Sequence, residues 1–281
     1  MFLSPFLIQS LPLPVLTLIH QRSFGAAPKA LKVSTGSHLS KAVRIYRSLQ
    51  MKIVGIIGGI GPESTIEYYR FIIDEYRRRR ADGTNPAIVI NSIDVNKLVS
   101  WMTAGEHAAV AQYLIAGLER LQRAGVDFAV LAANTPHIVF DEVRSQIALP
   151  LISIVEATRD KAQEMSVRRP ALFGTRFTME AKFYPDVFAA AGISIVTPNE
   201  TERAFIHEKY MNELLPGIFA ERTRDDLIEI VRTMRSRDEI DGLILGGTEL
   251  PLILRDSAIE GVPFLDTTRI HVDAIVDKLL A

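Results

Sequence analysis

Two apolar, strand-like runs in this sequence are each followed at once by short polar side chains. The first run leads into Asn134-Thr135-Pro136-His137, and the second leads into Thr248-Glu249. Polar groups at strand ends can hydrogen-bond a small ligand, although Asn or Thr at a helix start is also a common N-cap. The paired occurrence favours ligand binding at these two places.

A glycine-rich turn precedes a long amphipathic segment and reads Gly58-Gly59-Ile60-Gly61-Pro62. Proline in the first turn of a helix leaves free backbone N–H groups that can bind a carboxylate or phosphate. The turn lacks the Gly-Lys-Ser/Thr of a Walker loop and the third glycine of a dinucleotide fingerprint. The alternative interpretation is a tight strand-to-helix turn without a ligand.

Acid/base chemistry has few candidate residues. His137 can act as a general base and Glu249 is a second weak candidate, whereas a histidine near a helix start is more often structural. His271, on the last predicted helix, is interpreted as structural. The chain contains no cysteine, which excludes thiol nucleophiles, thiolate metal sites and disulfides. No His, Asp and Glu grouping has metal-ligand spacing, so no metal is expected.

The charge balance argues against a nucleic-acid partner. The chain has 32 Lys+Arg and 33 Asp+Glu, without the basic excess that releases counterions from a polyanion. Four consecutive arginines at 77–80 are predicted to lie at a solvated helix end, where the dipole favours cations. No membrane partner is expected either.

Short β-branched runs alternate with longer amphipathic segments from residue 51 onward. Strands are predicted at 53–57, 87–90, 128–131, 171–173, 193–196 and 243–245, with helices at 62–80, 107–124, 179–191 and 223–237. This βαβ rhythm predicts an α/β fold with parallel sheets covered by helices. Residues 51–160 together with 266–281 are predicted to form a first lobe, and residues 161–265 a second.

The two lobes also resemble each other. Gly58 and Gly174 open matching turns 116 residues apart, and the runs starting at Val130 and Ile244 match at an offset of 114 residues. In open α/β sheets ligands bind beyond the carboxyl ends of the strands. We therefore expect a pseudo-symmetric cleft between the lobes, in which Ala133 and Gly247 face each other.

Residues 1–50 differ in composition from the rest of the chain. They contain six basic residues and no acidic one, and the apolar stretch at 2–19 is interrupted by Pro5, Pro12 and Pro14. That stretch is a poor membrane span and a weak secretory signal. The segment is interpreted as an N-terminal extension that is disordered, translated from upstream of Met51, or transit-like. A cytoplasmic location is expected, with an organellar one if the segment is a genuine transit peptide.

Six motifs in order resemble the aspartate/glutamate racemase superfamily, specifically its aspartate racemase and broad-specificity amino-acid racemase branch. They are Gly58-Gly59-Ile60-Gly61-Pro62-Glu63-Ser64-Thr65, Asn91-Ser92-Ile93-Asp94, Asn134-Thr135-Pro136-His137, Gly174-Thr175-Arg176-Phe177-Thr178-Met179-Glu180, Gly246-Gly247-Thr248-Glu249-Leu250 and Asp266-Thr267-Thr268. The resemblance implies a cofactor-independent enzyme of two α/β lobes, often a homodimer, that inverts the α-carbon of a small, usually acidic, amino acid.

The resemblance also implies two cysteines, one removing and one returning the α-proton. Here those positions are Ala133 and Gly247, whose side chains carry no proton. The function expected is therefore an amino-acid racemase family protein that binds a small α-carboxylate ligand, an amino or oxo acid, with two-thiol racemisation in doubt. The alternatives are a noncatalytic ligand-binding or regulatory protein and an isomerase or lyase using another acid/base. The predicted ligand-binding residues are Gly59, Ser92, Asn134, Thr135, Thr175 and Thr248.

Overall fold

The computed structural model describes residues 51–281, and the first four strands of this part of the chain form one sheet. The predictions for residues 1–50 lie outside the described residues. Strand β1 (Ile53–Gly58) pairs in parallel with β2 (Ala87–Ser92) and β3 (Phe128–Leu131). Strand β4 (Leu151–Ile152) extends the sheet beside β3, which gives the order β2-β1-β3-β4.

A second sheet repeats this arrangement. Parallel strands β5 (Pro170–Gly174), β6 (Gly242–Gly246) and β8 (Val262–Asp266) lie side by side, and β7 (Ala258–Ile259) adds an antiparallel edge. A single bridge from Val196 to Ala171 takes the place beside β5 that β2 takes beside β1. The prediction of two pseudo-symmetric α/β lobes is therefore confirmed.

Helices connect the strands of both sheets. They are α1 (Pro62–Arg79), α2 (Val95–Ala104), α3 (His107–Arg123), α4 (Phe140–Gln146), α5 (Ile154–Glu164), α6 (Arg176–Glu180), α7 (Phe183–Ala189), α8 (Glu200–Lys209), α9 (Glu221–Asp238), α10 (Leu250–Ile253) and α11 (Thr267–Leu280). A 3₁₀ turn (Thr135–Val139) precedes α4, and a π-helical turn (Tyr210–Leu214) follows α8. No helix of residues 51–281 has both the length and the apolar character needed to cross a membrane.

Two sequence predictions in the second lobe are wrong. The helix expected at 179–191 is broken into α6 and α7, since Ala181 is extended with ψ 162°. Pro185 explains the break, because its ring would clash with the carbonyl of Ala181 in a continuous helix, whereas proline is tolerated in the first turn of α7. The strand expected at 193–196 is reduced to the single bridge at Val196.

The C-terminal helix packs against the first sheet. Val272, Ile275 and Val276 of α11 share a buried cluster with Val54 and Ile56 of β1. Helix α5 packs instead on the second sheet, since its Ile154, Val155 and Ala162 are buried with residues of β5 and β6. Each of these two helices thus follows a strand of one sheet and packs on the other sheet, which brings the carboxyl ends of the two sheets close together.

Candidate functional site

A small cavity of about 40 Å³ lies at the carboxyl ends of β3, β5 and β6. Its lining comes from both lobes and includes Ala133 from the first and Gly247 from the second. The predicted residues at its wall are Ala133, Asn134, Thr135, Thr175, Gly247, Thr248 and Glu249. The structure therefore brings together residues that are more than one hundred positions apart in the chain, at the edge where parallel strands end.

Three threonine hydroxyls bond to one another across the lobes. Thr135 Oγ1 lies 3.0 Å from Thr175 Oγ1 and 3.1 Å from Thr178 Oγ1, and the latter two are 3.2 Å apart. Thr175 is also the N-cap of α6, because its hydroxyl accepts from the Thr178 backbone N–H. Thr135 and Thr175 line the cavity, whereas Thr178 does not.

The Asn134 side chain joins three elements. Its carbonyl oxygen accepts a 2.6 Å hydrogen bond from the Tyr184 hydroxyl, and its amide donates to Thr267 Oγ1 at 3.1 Å. Thr267 in turn donates to the Leu245 carbonyl of β6 at 2.7 Å. Asn134 is only 2% exposed, so these bonds hold the end of β3 against α7 and α11.

Glu249 is a buried carboxyl surrounded by hydroxyl groups. Ser64 donates to Oε1 at 2.6 Å, Thr248 donates to Oε2 at 3.2 Å, and Tyr210 also donates to Oε2. Burial raises the pKa of Glu249, and these hydroxyl bonds oppose that rise. Both carboxylate oxygens of Glu249 are thus held by hydroxyl donors of the protein.

Tyr210 occupies the space in front of Gly247. A Cβ atom on Gly247 would lie 2.7 Å from the Tyr210 hydroxyl oxygen and 2.8 Å from its Cζ. Real Cβ atoms do not approach other atoms this closely, so a side chain at 247 requires Tyr210 to move. Burial, together with the charge of Glu249, raises the pKa of Tyr210 well above its usual value, which keeps its phenol neutral.

Tyr210 and Ser64 are site residues that sequence reasoning missed. Ser64 lies in the glycine-rich motif at 58–65, but nothing in the sequence shows that its hydroxyl reaches Glu249, 185 positions away. Tyr210 opens the π-helical turn, a feature that hydrophobic periodicity does not reveal. π-Helical turns are frequent at functional sites.

Gly59 and Ser92 lie beside each other outside the cavity lining. A Cβ atom on Gly59 would meet the Ser92 hydroxyl, and φ of Gly59 is +81°, which explains why glycine stands here. The Gly59 backbone N–H donates to Thr65 Oγ1 at 2.8 Å. This amide, expected from the sequence to be free for an anion, is thus already bonded within the protein.

His137 does not line the cavity. Its Nδ1 is 3.0 Å from the Ala133 carbonyl, its ring stacks on Phe140, and it lines a separate groove with Ser153. Burial lowers the pKa of His137 to about 3, so it is neutral at pH 7. His271 bonds Tyr68 and the Ile152 carbonyl.

The cavity wall carries no positive charge. Among its lining residues the ionisable ones are Glu249 and Tyr210, and the others are apolar or neutral. Within residues 51–281, no group of three or more His, Asp or Glu side chains is placed to hold a metal ion. The arrangement can donate and accept hydrogen bonds to a small neutral or singly charged group.

Comparison with known proteins adds sequence and structural relatives. Residues 57–275 match the family described as Asp/Glu/Hydantoin racemase. The broad specificity amino-acid racemase RacX of Bacillus subtilis (strain 168) is 23% identical over 235 residues, which cover 82% of this chain and 99% of RacX. The crystal structure of a Yersinia pestis protein named for the Asp/Glu racemases is 32% identical with a TM-score of 0.74, covering 82% of this chain and 100% of that one. An aspartate racemase homologue from Pyrococcus horikoshii OT3 is 31% identical with a TM-score of 0.69, covering 83% and 100%.

Proposed function

This chain belongs to the Asp/Glu/Hydantoin racemase family, and we propose on that premise that its cleft binds a small α-carboxylate ligand, an amino or oxo acid. It is an amino-acid racemase-like protein in which the two-thiol reaction cannot occur, because the whole chain lacks cysteine. The proposed contacts are the hydroxyls of Thr135, Thr175 and Thr248. We further propose a homodimer, as the family resemblance implies, and a cytoplasmic location.

One observation carries the ligand-binding proposal. The side chains of Thr135, Thr175 and Thr248 converge from both lobes on the cavity that Ala133 and Gly247 also line. A hydroxyl can both donate and accept, so several of them around one point suit a carboxylate next to an amino or oxo group. Each such bond to a charged group contributes about 1.5–3 kcal/mol.

No group at the cavity wall is suited to remove the proton from the α-carbon of the ligand. The ionisable groups there are Glu249 and Tyr210. Burial keeps the Tyr210 phenol protonated, and both carboxylate oxygens of Glu249 already accept hydrogen bonds from hydroxyls of the protein. A general base needs an acceptor atom within hydrogen-bond reach of the proton that it removes, and the Glu249 oxygens are engaged with Ser64, Tyr210 and Thr248 instead. Ligand binding without rapid loss of the α-proton is therefore the activity we propose.

The test combines two NMR measurements on the full chain. Saturation-transfer spectra report binding of L- and D-aspartate, L- and D-glutamate, a panel of small amino acids and the matching 2-oxo acids, and α-hydrogen signals in D₂O report proton exchange. We expect binding by at least one compound and no exchange above a protein-free control. Absence of binding across the panel would refute the proposal, and rapid exchange would refute its noncatalytic part.

Matched threonine variants locate the contact. Thr135→Val and Thr248→Val each remove a hydroxyl from the cavity wall, so we expect binding about tenfold weaker or worse. Thr178→Val removes the third hydroxyl of the threonine cluster, which does not line the cavity, and serves as the control. Equal losses in all three variants would point to a structural effect and against direct contact.

A further inference from the structure

Most of the other residues that line the cavity beside the threonines are apolar. These residues come from the turn after β1, from α2, from α6 and from the segment after α8. They include Ile60, Leu98, Met102, Phe177 and Leu215. A ligand that places its α-carboxylate at the threonines therefore has mainly apolar residues available around its side chain.

We infer that the ligand of this cleft carries a small apolar side chain and that Tyr210 limits the size of that side chain. The inference rests on the proposed ligand-binding function and names the ligand class within it. It departs from the usually acidic amino acids that the family resemblance implies. Two observations support it, one on charge and one on space.

A second carboxylate on the ligand would have no positive partner in this cavity. The nearest cations along the chain are engaged elsewhere, since Lys209 bonds Glu213 at 2.8 Å and exposed Arg176 lies over the Phe177 ring. Glu249, the carboxyl at the cavity wall, would place another acidic group near that carboxylate of the ligand. Burying an unpaired charge is far more costly than burying an apolar group of the same shape.

Space at the Gly247 side is taken by the Tyr210 ring. The cavity is small, about 40 Å³, so its lining side chains leave little room for an amino-acid side chain unless some of them move. Tyr210 is the largest of these side chains next to Gly247, and its bond to Glu249 links the π-helical turn to the end of β6. A larger ligand must therefore displace Tyr210 further.

The charge argument is tested on the unaltered full chain by isothermal titration. Leucine, asparagine and aspartate have side chains of similar shape that end in methyl, amide and carboxylate groups. We expect leucine, in one of its enantiomers, to bind at least about tenfold more tightly than aspartate, with asparagine between them. Aspartate binding as tightly as leucine would overturn this inference alone. No binding by these compounds or by the series below would overturn the proposed function with it.

The size argument is tested with alanine, 2-aminobutyrate, valine and leucine. Tyr210→Ala enlarges the cavity beside Gly247, so we expect the affinity ratio of leucine to alanine to rise about tenfold over the unaltered chain. Tyr210→Phe keeps the ring and should keep the original ratio, and Tyr69→Ala removes an exposed tyrosine as a control. If Tyr210→Ala does not fold, Tyr210→Leu takes its place. A folded variant with an unchanged ratio would overturn the role of Tyr210.

Discussion

The Tyr210 hydroxyl oxygen lies 2.7 Å from the point where a Cβ atom on Gly247 would sit. The two residues are 37 positions apart in the chain and belong to different elements, a π-helical turn and the end of β6. Glycine at 247 and tyrosine at 210 are thus a matched pair, since a side chain at one position excludes the ring at the other. A cysteine cannot be placed at 247 without a change at 210.

The Gly247→Ala variant should be destabilised. The added methyl group overlaps the Tyr210 ring in a buried wall, and overpacking of this kind costs about 1–3 kcal/mol. Urea unfolding of Gly247→Ala, Tyr210→Leu and the double variant measures this cost. We expect the double variant to be more stable than the sum of the single changes, because Tyr210→Leu frees the space. Strict additivity would show that the two side chains do not compete.

Restoring two thiols requires three substitutions. Ala133→Cys with Gly247→Cys leaves the second thiol in conflict with Tyr210, so we expect no α-hydrogen exchange from the double variant. Adding Tyr210→Leu gives the thiol room, and thiols are suited to both accept and donate the α-proton. Exchange of small amino acids in D₂O should then exceed that of the unaltered chain by about tenfold or more, a factor worth 1.4 kcal/mol of barrier. No gain in a folded triple variant would refute this prediction.

The Asn134→Leu variant should lose about 2–4 kcal/mol of unfolding free energy. It leaves the buried Tyr184 hydroxyl without its acceptor and removes a donor to Thr267. Tyr184→Phe removes the hydroxyl that donates to the Asn134 side chain. In a thermal double-mutant cycle we therefore expect the combined loss to be smaller than the sum of the two single losses.

Stability should fall as the pH decreases below about 6.5, the ordinary histidine pKa. Burial lowers the pKa of His137 to about 3 and that of His271 to about 4, so between these values and about 6.5 only the unfolded chain binds the protons. The contribution of each histidine is fully present above pH 6.5 and decreases by about 1.4 kcal/mol per pH unit below it.

Urea unfolding at pH 7, 6 and 5 tests this pH dependence. His137→Gln and His271→Gln should each reduce the slope of unfolding free energy against pH. His107→Gln, at an exposed histidine, is the matched control. An unchanged slope in both buried-site variants would contradict the prediction.

The Glu249→Ala variant should be strongly destabilised, by about 2–4 kcal/mol. It removes the acceptor of three hydroxyls, those of Ser64, Tyr210 and Thr248, and leaves a void at the end of β6. Glu63→Ala, an exposed position on the same first turn as Ser64, should change stability by less than about 0.5 kcal/mol. Calorimetry of both variants measures the contrast.

Much of the fold follows from local pattern. Alternating β-branched runs and amphipathic segments predict β1, β3, β5 and β6 and the long helices, because period and length are properties of the sequence itself. The internal repeat predicts the equivalence of Ala133 and Gly247, which line one cavity. The break between α6 and α7 follows from Pro185 and was not predicted.

The neighbours of each site residue are decided by tertiary structure. The contacts of Tyr210 with Gly247, Ser64 with Glu249 and Asn134 with Tyr184 join residues 37, 185 and 50 positions apart. Such contacts depend on how helices and turns pack over the two sheets, and local spacing carries no information on them. The sequence by itself determines that no thiol chemistry is possible, since it contains no cysteine. Only the packing decides that the Tyr210 ring occupies the space beside Gly247, because the two elements that carry these residues meet only in the folded chain.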